Sequence, residues 1–361
     1  MPFSVFDHQM MARAITLAEK GKFTTHPNPN VGCVIVQEDQ VVGEGFHIKA
    51  GGPHAEVHAL NQAQALAQGA TVYVTLEPCS HYGRTPPCAQ ALVEAKVARV
   101  VCAMQDPNPQ VGGRGFNLLR DAGIEVEVGL LEQDAERINK PFLKKMRSNM
   151  PYVQLKLAAS LDGKTALANG KSKWITGPAA RADVQRYRAQ AGAILSTSRT
   201  VIDDDASLNV RADELPASVM SKYPTKDIRQ PLRVILDRRG QLEESLKLFT
   251  GKGGELMIIA EDTMVGVGEQ EIDLPQLLAN LAKEHNINHL WVEAGATLAA
   301  SMIEQKLVDE LVLYLAPKLM GADARGLVNL FGLQEMSEAV DLKIAEVTPI
   351  GEDIKIVAHL S

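Results

Sequence analysis

His54-Ala55-Glu56, answered downstream by Pro78-Cys79 and then by Cys88, constrains this chain more than any other feature. A metal-type histidine, a carboxylate and two thiols fall in one short region. Three such ligands plus an open position are what zinc needs to activate water. The fold must bring the three to one point, so strand ends and helix starts have to converge there. Glu56 is too close to His54 in sequence to be a spare ligand, which leaves it for moving protons. The competing reading is a closed structural zinc site, which needs a fourth ligand from His58 or His81.

The order of elements around the motif is compatible with this. Residues 7–21 read as an amphipathic helix, with Asp7 as N-cap and Gly21 as stop. The turn-rich run Thr25-His-Pro-Asn-Pro-Asn30 leads into an apolar strand, Val31–Val36, and residues 41–46 read as its hairpin partner. Residues 55–67 have helical periodicity, so His54 and Glu56 lie at a helix N-terminus. Residues 71–76 read as a strand, Cys88 opens a helix through Val97, and residues 100–103 form the next strand. The β-β-α-β-α-β order predicts a sheet layered by helices. Cys33 and Cys102 fall inside apolar strands and read as core.

At 361 residues the chain calls for two domains. The boundary is expected near 138–151, in a basic, proline-punctuated stretch without evident period, giving domains 1–147 and 151–361. In the second domain, strands are expected at 152–158, 193–196, 232–236, 256–260, 289–292 and 310–316, with a closing hairpin at 342–348 and 353–359. Helices are expected at 178–190, 274–285 and 296–305, and loops at 213–231 and 262–272. The net charge of −7 argues against a broad nucleic-acid-binding surface. Any substrate phosphate must then meet a local basic pocket. Four cysteines are too few for a disulfide framework. The start carries no secretory pattern and no stretch reaches membrane-spanning length. These features point to a reducing, cytoplasmic setting.

Zinc nucleobase deaminases carry H-x-E followed by P-C-x-x-C. Here the second thiol arrives late, in Leu76-Glu-Pro-Cys-Ser-His-Tyr-Gly-Arg-Thr-Pro-Pro-Cys88. With His54-Ala-Glu56 and Asn28-Pro-Asn-Val-Gly32, this closely resembles the bifunctional riboflavin-biosynthesis deaminase/reductase family, RibD. The resemblance continues through Lys156-Leu-Ala-Ala-Ser-Leu-Asp-Gly-Lys164, Ser172-Lys-Trp-Ile-Thr176, Thr200–Arg211 and Val292-Glu-Ala-Gly-Ala-Thr-Leu298, so it covers essentially the whole chain. It implies an α/β protein: a cytidine-deaminase-like three-layer α/β/α domain, then a dihydrofolate-reductase-like α/β domain that uses NADPH.

The resemblance implies two consecutive steps. The 2-amino group of 2,5-diamino-6-ribosylamino-4(3H)-pyrimidinone 5′-phosphate is removed by hydrolysis. NADPH then reduces the ribosyl side chain, giving 5-amino-6-(5-phosphoribitylamino)uracil. Carried onto this sequence, zinc falls to His54, Cys79 and Cys88, and proton transfer to Glu56. Asn28, His47, His81 and Arg84 become deaminase substrate contacts; their plain alternative is turn chemistry and solvated charge. Ala158, Trp174, Thr200, Asp204, Gly295, Ala296, Thr297 and Leu298 fall to the cofactor. Ser172, Arg188, Leu208, Arg211 and Glu293 fall to the reductase substrate.

Several of these positions carry a physical argument of their own. Gly295 ends a strand and opens a helix whose N-terminus favours phosphate. Arg211 is suited to grip a phosphate with two donors. Trp174 is either a stacking ring or a core aromatic. Ser196-Thr-Ser198 stands where many relatives are glycine-rich, with hydroxyls that can still donate to phosphate. Ala296 stands where many have proline. Lys156, Asp204 and Glu293 are the candidates for proton delivery in the reduction, and the sequence does not choose among them. The partners implied are small phosphorylated pyrimidines, with no nucleic acid and no membrane, in a homo-oligomer, dimer or tetramer. Two other readings stand beside this one. One is a nucleoside or nucleic-acid zinc deaminase with an accessory domain, and the other is a metal-stapled binding protein without turnover.

Overall fold

The structure is a computed structural model that describes residues 3–81, 87–109, 111–221, 223, 228–260 and 272–360. It divides into two compact units, Met1–Asn149 and Met150–Ser361. In the first, the elements run α1 (Val5–Ala18), β1 (Gly32–Gln37), β2 (Gln40–Phe46), α2 (Ala55–Ala63), β3 (Thr71–Val74), α3 (Cys88–Glu94), β4 (Arg99–Cys102), α4 (Arg114–Asp121), β5 (Glu125–Val128) and α5 (Glu132–Ser148). The sheet order is β2-β1-β3-β4-β5. β1 is antiparallel to both neighbours, and β3, β4 and β5 are parallel.

Side chains alternate across a strand, and here both faces are apolar. Cys33, Ile35, Val72, Val74, Val100 and Cys102 point to one side, where Ala55, Ala59, Ala63, Leu92, Phe116 and Leu119 of α2, α3 and α4 cover them. Val34, Val36, Tyr73 and Val101 point to the other, under Met11, Ala14 and Ile15 of α1 and Ala135 and Leu143 of α5. Two covered faces make three layers. Cys33 and Cys102 are fully buried core residues, as their strand positions require.

Three local expectations are corrected. The N-cap of α1 is Ser4, not Asp7; Asp7 is the reciprocal partner of a capping box and also receives Tyr73 Oη and Arg99. The basic stretch expected as a linker is the second half of α5, with Pro141 inside the helix. Its period appears only when the reading starts at Glu132: Ala135, Asn139 and Leu143 are buried at four-residue spacing. Residues 212–214 and 217–220, expected as loop, form a 3-10 turn and the short helix α8; most of 262–272 lies outside the described residues.

The second unit contains β6 (Tyr152–Ser160), β7 (Lys164–Ala166), α6 (Pro178–Gln190), β8 (Ala193–Thr197), α7 (Ser198–Asp204), α8 (Ala217–Met220), β9 (Leu232–Leu236), α9 (Lys247–Thr250), β10 (Leu256–Ile259), α10 (Leu274–Lys283), β11 (His289–Glu293), α11 (Ala296–Glu304), β12 (Glu310–Ala316), β13 (Arg325–Gly326), β14 (Leu342–Ile350) and β15 (Asp353–Leu360). Eight strands form one sheet, β10-β9-β8-β11-β6-β12-β15-β14. The first six are parallel; β15 and β14 close it antiparallel. One face packs on α10 and α11 through Leu277, Leu281, Ala299 and Met302. The other packs on α6 and α7 through Val184, Tyr187 and Val201, over Trp291 and Tyr314. Among the described residues, no helix is long and apolar enough to cross a membrane.

Candidate active sites

In the first unit, β3 runs out towards Cys79, and α2 and α3 begin beside it. His54 is the N-cap residue of α2 and Cys88 the first residue of α3. Their ligand atoms and Cys79 Sγ all lie within 4.8 Å of one another. His54 Nδ1 is 3.3 Å from Cys88 Sγ and 3.6 Å from Cys79 Sγ, and the Cys88 amide donates to Cys79 Sγ at 3.3 Å. Among the described residues this is the one such cluster of three or more groups. His58 is outside it, and His81 is exposed. The set is therefore three ligands, not a closed four.

The electrostatics agree with a metal position. Hydrogen bonds from Cys88 and His54 hold the Cys79 thiol well below the ordinary thiol value, while its neighbour Cys79 and burial push Cys88 up. A dication at their meeting point favours both thiolates, and one imidazole with two thiolates is a donor set zinc prefers. Glu56, in the first turn of α2, is buried, and burial pushes its carboxyl up to about 7. Among the described residues, its buried Oε2 has no hydrogen-bond partner. Such an atom carries a cost that a structural role does not explain.

Asn28 and His47 join this site. His47 Nδ1 is 3.0 Å from Pro53 O, which sets Nδ1 as the donor and leaves Nε2 to accept from Asn28 Nδ2 at 3.0 Å. The His47 ring meets the His54 ring edge-on at 5.3 Å, and burial lowers its pKa, keeping it neutral. His81 is exposed. Arg84 lies outside the described residues.

In the second unit the parallel register of β6 and β11 sets Lys156 beside Glu293. Arg188 of α6 donates Nε and Nη2 to the two oxygens of Glu293 at 2.5 and 2.9 Å, and Trp291 Nε1 adds a third bond at 2.9 Å. Burial alone would raise this carboxyl, but the guanidinium holds it at about 2. Burial lowers the Lys156 ammonium, with the charges of Glu293, Arg188 and Asp204 in reach. Asp204 ends α7, where Lys173 Nζ donates to its carbonyl at 2.9 Å and lies 3.7 Å from its carboxylate.

The remaining predicted residues are distributed as follows. Ala158 is half-buried on β6, beside Tyr314 of β12. Thr200 donates its amide to the N-cap oxygen of Thr197. Trp174 is 66% exposed, which removes it from the core; Arg181 stacks on its ring at 4.7 Å. Gly295 is the N-cap residue of α11, followed by Ala296, Thr297 and Leu298 in the first turn. A side chain at Gly295 would meet nothing within 4 Å, so the approach to that N-terminus is open. This fits a phosphate-bearing dinucleotide. Ser172 is half-buried, and Leu208 is buried with a left-handed backbone, φ 49°. Arg211 is paired with Glu214 at 2.6 and 2.8 Å.

One expectation is corrected here. The hydroxyls of Ser196-Thr-Ser198 are not all free for phosphate: Ser196 Oγ is fully buried and donates to Glu293 O at 2.7 Å, and Thr197 Oγ1 caps α7. Asn329 was not singled out from sequence. Its amide donates to Ala296 O at 3.2 Å and its Nδ2 to Thr297 Oγ1 at 3.2 Å, tying a distant loop to the α11 N-terminus. No short motif marks such a contact.

Residues 4–104 match the family described as the cytidine and deoxycytidylate deaminase zinc-binding region, and residues 151–356 match the RibD C-terminal domain. Fold and site together define a two-unit enzyme, a zinc-dependent deaminase joined to a reductase. The riboflavin biosynthesis protein RibD of Haemophilus influenzae is 54% identical, covering 99% of this chain and 98% of the relative. That of Escherichia coli is 50% identical, covering 96% and 98%. The solved structure of Acinetobacter baumannii RibD superposes with a TM-score of 0.91 at 47% identity, with 99% of both chains covered. A Thermotoga maritima diaminohydroxyphosphoribosylaminopyrimidine deaminase/5-amino-6-(5-phosphoribosylamino)uracil reductase gives 0.85 at 31%, also over 99% of both. The chain belongs to the RibD family of riboflavin biosynthesis proteins.

Proposed function

We propose that the unit from 1 to 147 hydrolyses the 2-amino group from 2,5-diamino-6-ribosylamino-4(3H)-pyrimidinone 5′-phosphate. The unit from 151 to 361 then reduces the ribosyl side chain with NADPH to give 5-amino-6-(5-phosphoribitylamino)uracil. The observation that carries the reading is the convergence of His54, Cys79 and Cys88 beside the buried Glu56 carboxyl. It stands at the head of a chain whose second unit matches a reductase family.

His54, Cys79 and Cys88 would hold zinc, which lowers the pKa of a water from 15.7 towards about 7. Glu56 would take that proton at Oε2 and return protons to the departing ammonia, and its burial favours a carboxyl that can hold a proton as well as release one. Asn28 and His47, locked to each other, present a fixed polar wall for the pyrimidine edge. His81 and Arg84 are assigned to the phosphorylated ribosyl arm.

NADPH would supply the hydride of the second step. Gly295, Ala296, Thr297 and Leu298 would hold its phosphates at the α11 N-terminus, with Ala158, Trp174, Thr200 and Asp204 completing the cofactor side. Ser172, Leu208 and Arg211 receive the sugar phosphate. Lys156 is the proton source at the sugar, because Glu293 is held ionised by Arg188 and Asp204 is half-exposed. Arg188, with Nε and Nη2 on Glu293 and Nη1 on Asn209 O, reaches the substrate through these groups.

The acidic balance supports a small-molecule substrate over nucleic acid. The unpaired free thiols suit the cytoplasm. The C-terminal part exposes Phe331, Met336, Ile344 and Val347 along and near edge strand β14, and we assign this surface to a second copy of the chain. The functional test is coupled: one purified chain should release ammonia from the diaminopyrimidinone and consume NADPH with its product. Ammonia release without any NADPH consumption would leave the second unit without its assigned activity.

A further inference from the structure

We infer that Glu77, the unexplained carboxylate of the Leu76-Glu-Pro-Cys79 motif, is a positioning residue that fastens Asp106 and the N-terminus of α4 beside the deaminase site. Glu77 is buried. Its Oε2 accepts the amides of Asp106 at 3.1 Å and Gly113 at 2.9 Å, and its Oε1 accepts the amide of Gly115 at 2.9 Å. A carboxylate that takes three backbone donors, two of them at the α4 N-terminus, is a clasp, since each of those donors would otherwise be left unpaired on folding. The segment is built to close on it. A side chain at Gly115 would stand 2.0 Å from Pro78 O, and Gly113 has φ +83°. Both positions therefore need glycine for the segment to reach the strand end.

What the clasp delivers is Asp106. Its carboxylate is half-buried and accepts the Asn108 amide at 2.8 Å. Gly115, held by the same carboxylate, stands directly against Pro78 O, next to the ligand Cys79. Glu77 is two residues before the ligand Cys79, so one short segment carries a zinc ligand and also holds Asp106 and the start of α4. The inference rests on the deaminase reading above. It adds that substrate recognition, rather than metal retention, depends on Glu77.

The test uses the full zinc-loaded chain with Glu77→Ala and Glu77→Gln. The alanine variant should raise the deaminase KM about tenfold or more while kcat changes by less than about threefold. Zinc should stay at one per chain, and reduction of the deaminated substrate by NADPH should be unchanged. The glutamine variant keeps one acceptor oxygen and should fall between wild type and alanine. Hydrogen exchange should quicken at the amides of Asp106, Gly113 and Gly115. A wild-type KM with unchanged exchange would overturn the inference. So would loss of zinc in the alanine variant, because Glu77 would then be supporting the ligands. Should that variant fail to fold, the glutamine variant carries the same readings. A wild-type chain that does not deaminate the compound sinks the functional reading instead, and the exchange experiment still judges the clasp.

Discussion

Arg188 and Glu293, 105 residues apart in sequence, face each other as a buried bidentate pair. The pair fixes the protonation of the second site. Breaking a buried pair by removing one partner costs about 3–5 kcal/mol, because the other charge is left uncompensated. Arg188→Met should therefore destabilise the second unit by about that amount. Glu293→Leu added to it should recover much of the loss, as read by a double-mutant cycle of denaturant unfolding. The pKa of Glu293 is depressed from 4.5 to about 2 in the folded chain. Its contribution is thus fully present above 4.5 and is lost as pH falls towards 2.

Lys156 should behave oppositely. Burial lowers its pKa, and the proposed role needs its protonated form. The NADPH-dependent rate should fall as pH rises through a value below the ordinary lysine pKa of about 10.4. Lys156→Met should remove reduction and leave deamination intact, measured on separately supplied substrates.

Glu56→Gln preserves the shape of the first site but cannot shuttle protons. Deamination should drop by about 10²–10⁴-fold, the usual worth of general acid–base catalysis. Zinc content by elemental analysis and the rate of the reductive step should stay at wild-type values.

Metal removal should separate the two activities. Chelation of the chain should abolish ammonia release, while the deaminated compound is still reduced by NADPH. Cys88→Ser should reproduce this without chelator, since Cys88 contributes one of the three clustered ligand atoms.

The exposed side chains of Ile344 and Val347 on β14 should mark the contact between copies. Ile344→Glu with Val347→Glu should shift the sedimentation coefficient towards the monomer. An unchanged coefficient would move the contact elsewhere.

The sequence exposes contacts that are local and hides those made across distance. The zinc triad was readable because His54 and Cys88 each open a helix, and Cys79 leaves a strand that an apolar run announces. The strands of the second unit were readable from their unbroken apolar stretches, which two covered faces demand. Glu77 gave no such signal, because its partners are backbone amides whose position depends on a loop conformation. The Ser196 hydroxyl, which the sequence leaves able to donate to a phosphate, donates to Glu293 O, a pairing created only by the neighbouring placement of β8 and β11. The second half of α5 was missed because Pro141 and its lysines obscure a period set by only three buried positions.

One chain carries two chemistries, and mass spectrometry of the zinc-loaded protein with the diaminopyrimidinone ribosyl phosphate can read both. Amino should exchange for oxo without NADPH, followed by gain of two hydrogens only when NADPH is added. No change under either condition, with zinc bound and the protein folded, would mean that the chain does not carry these two reactions.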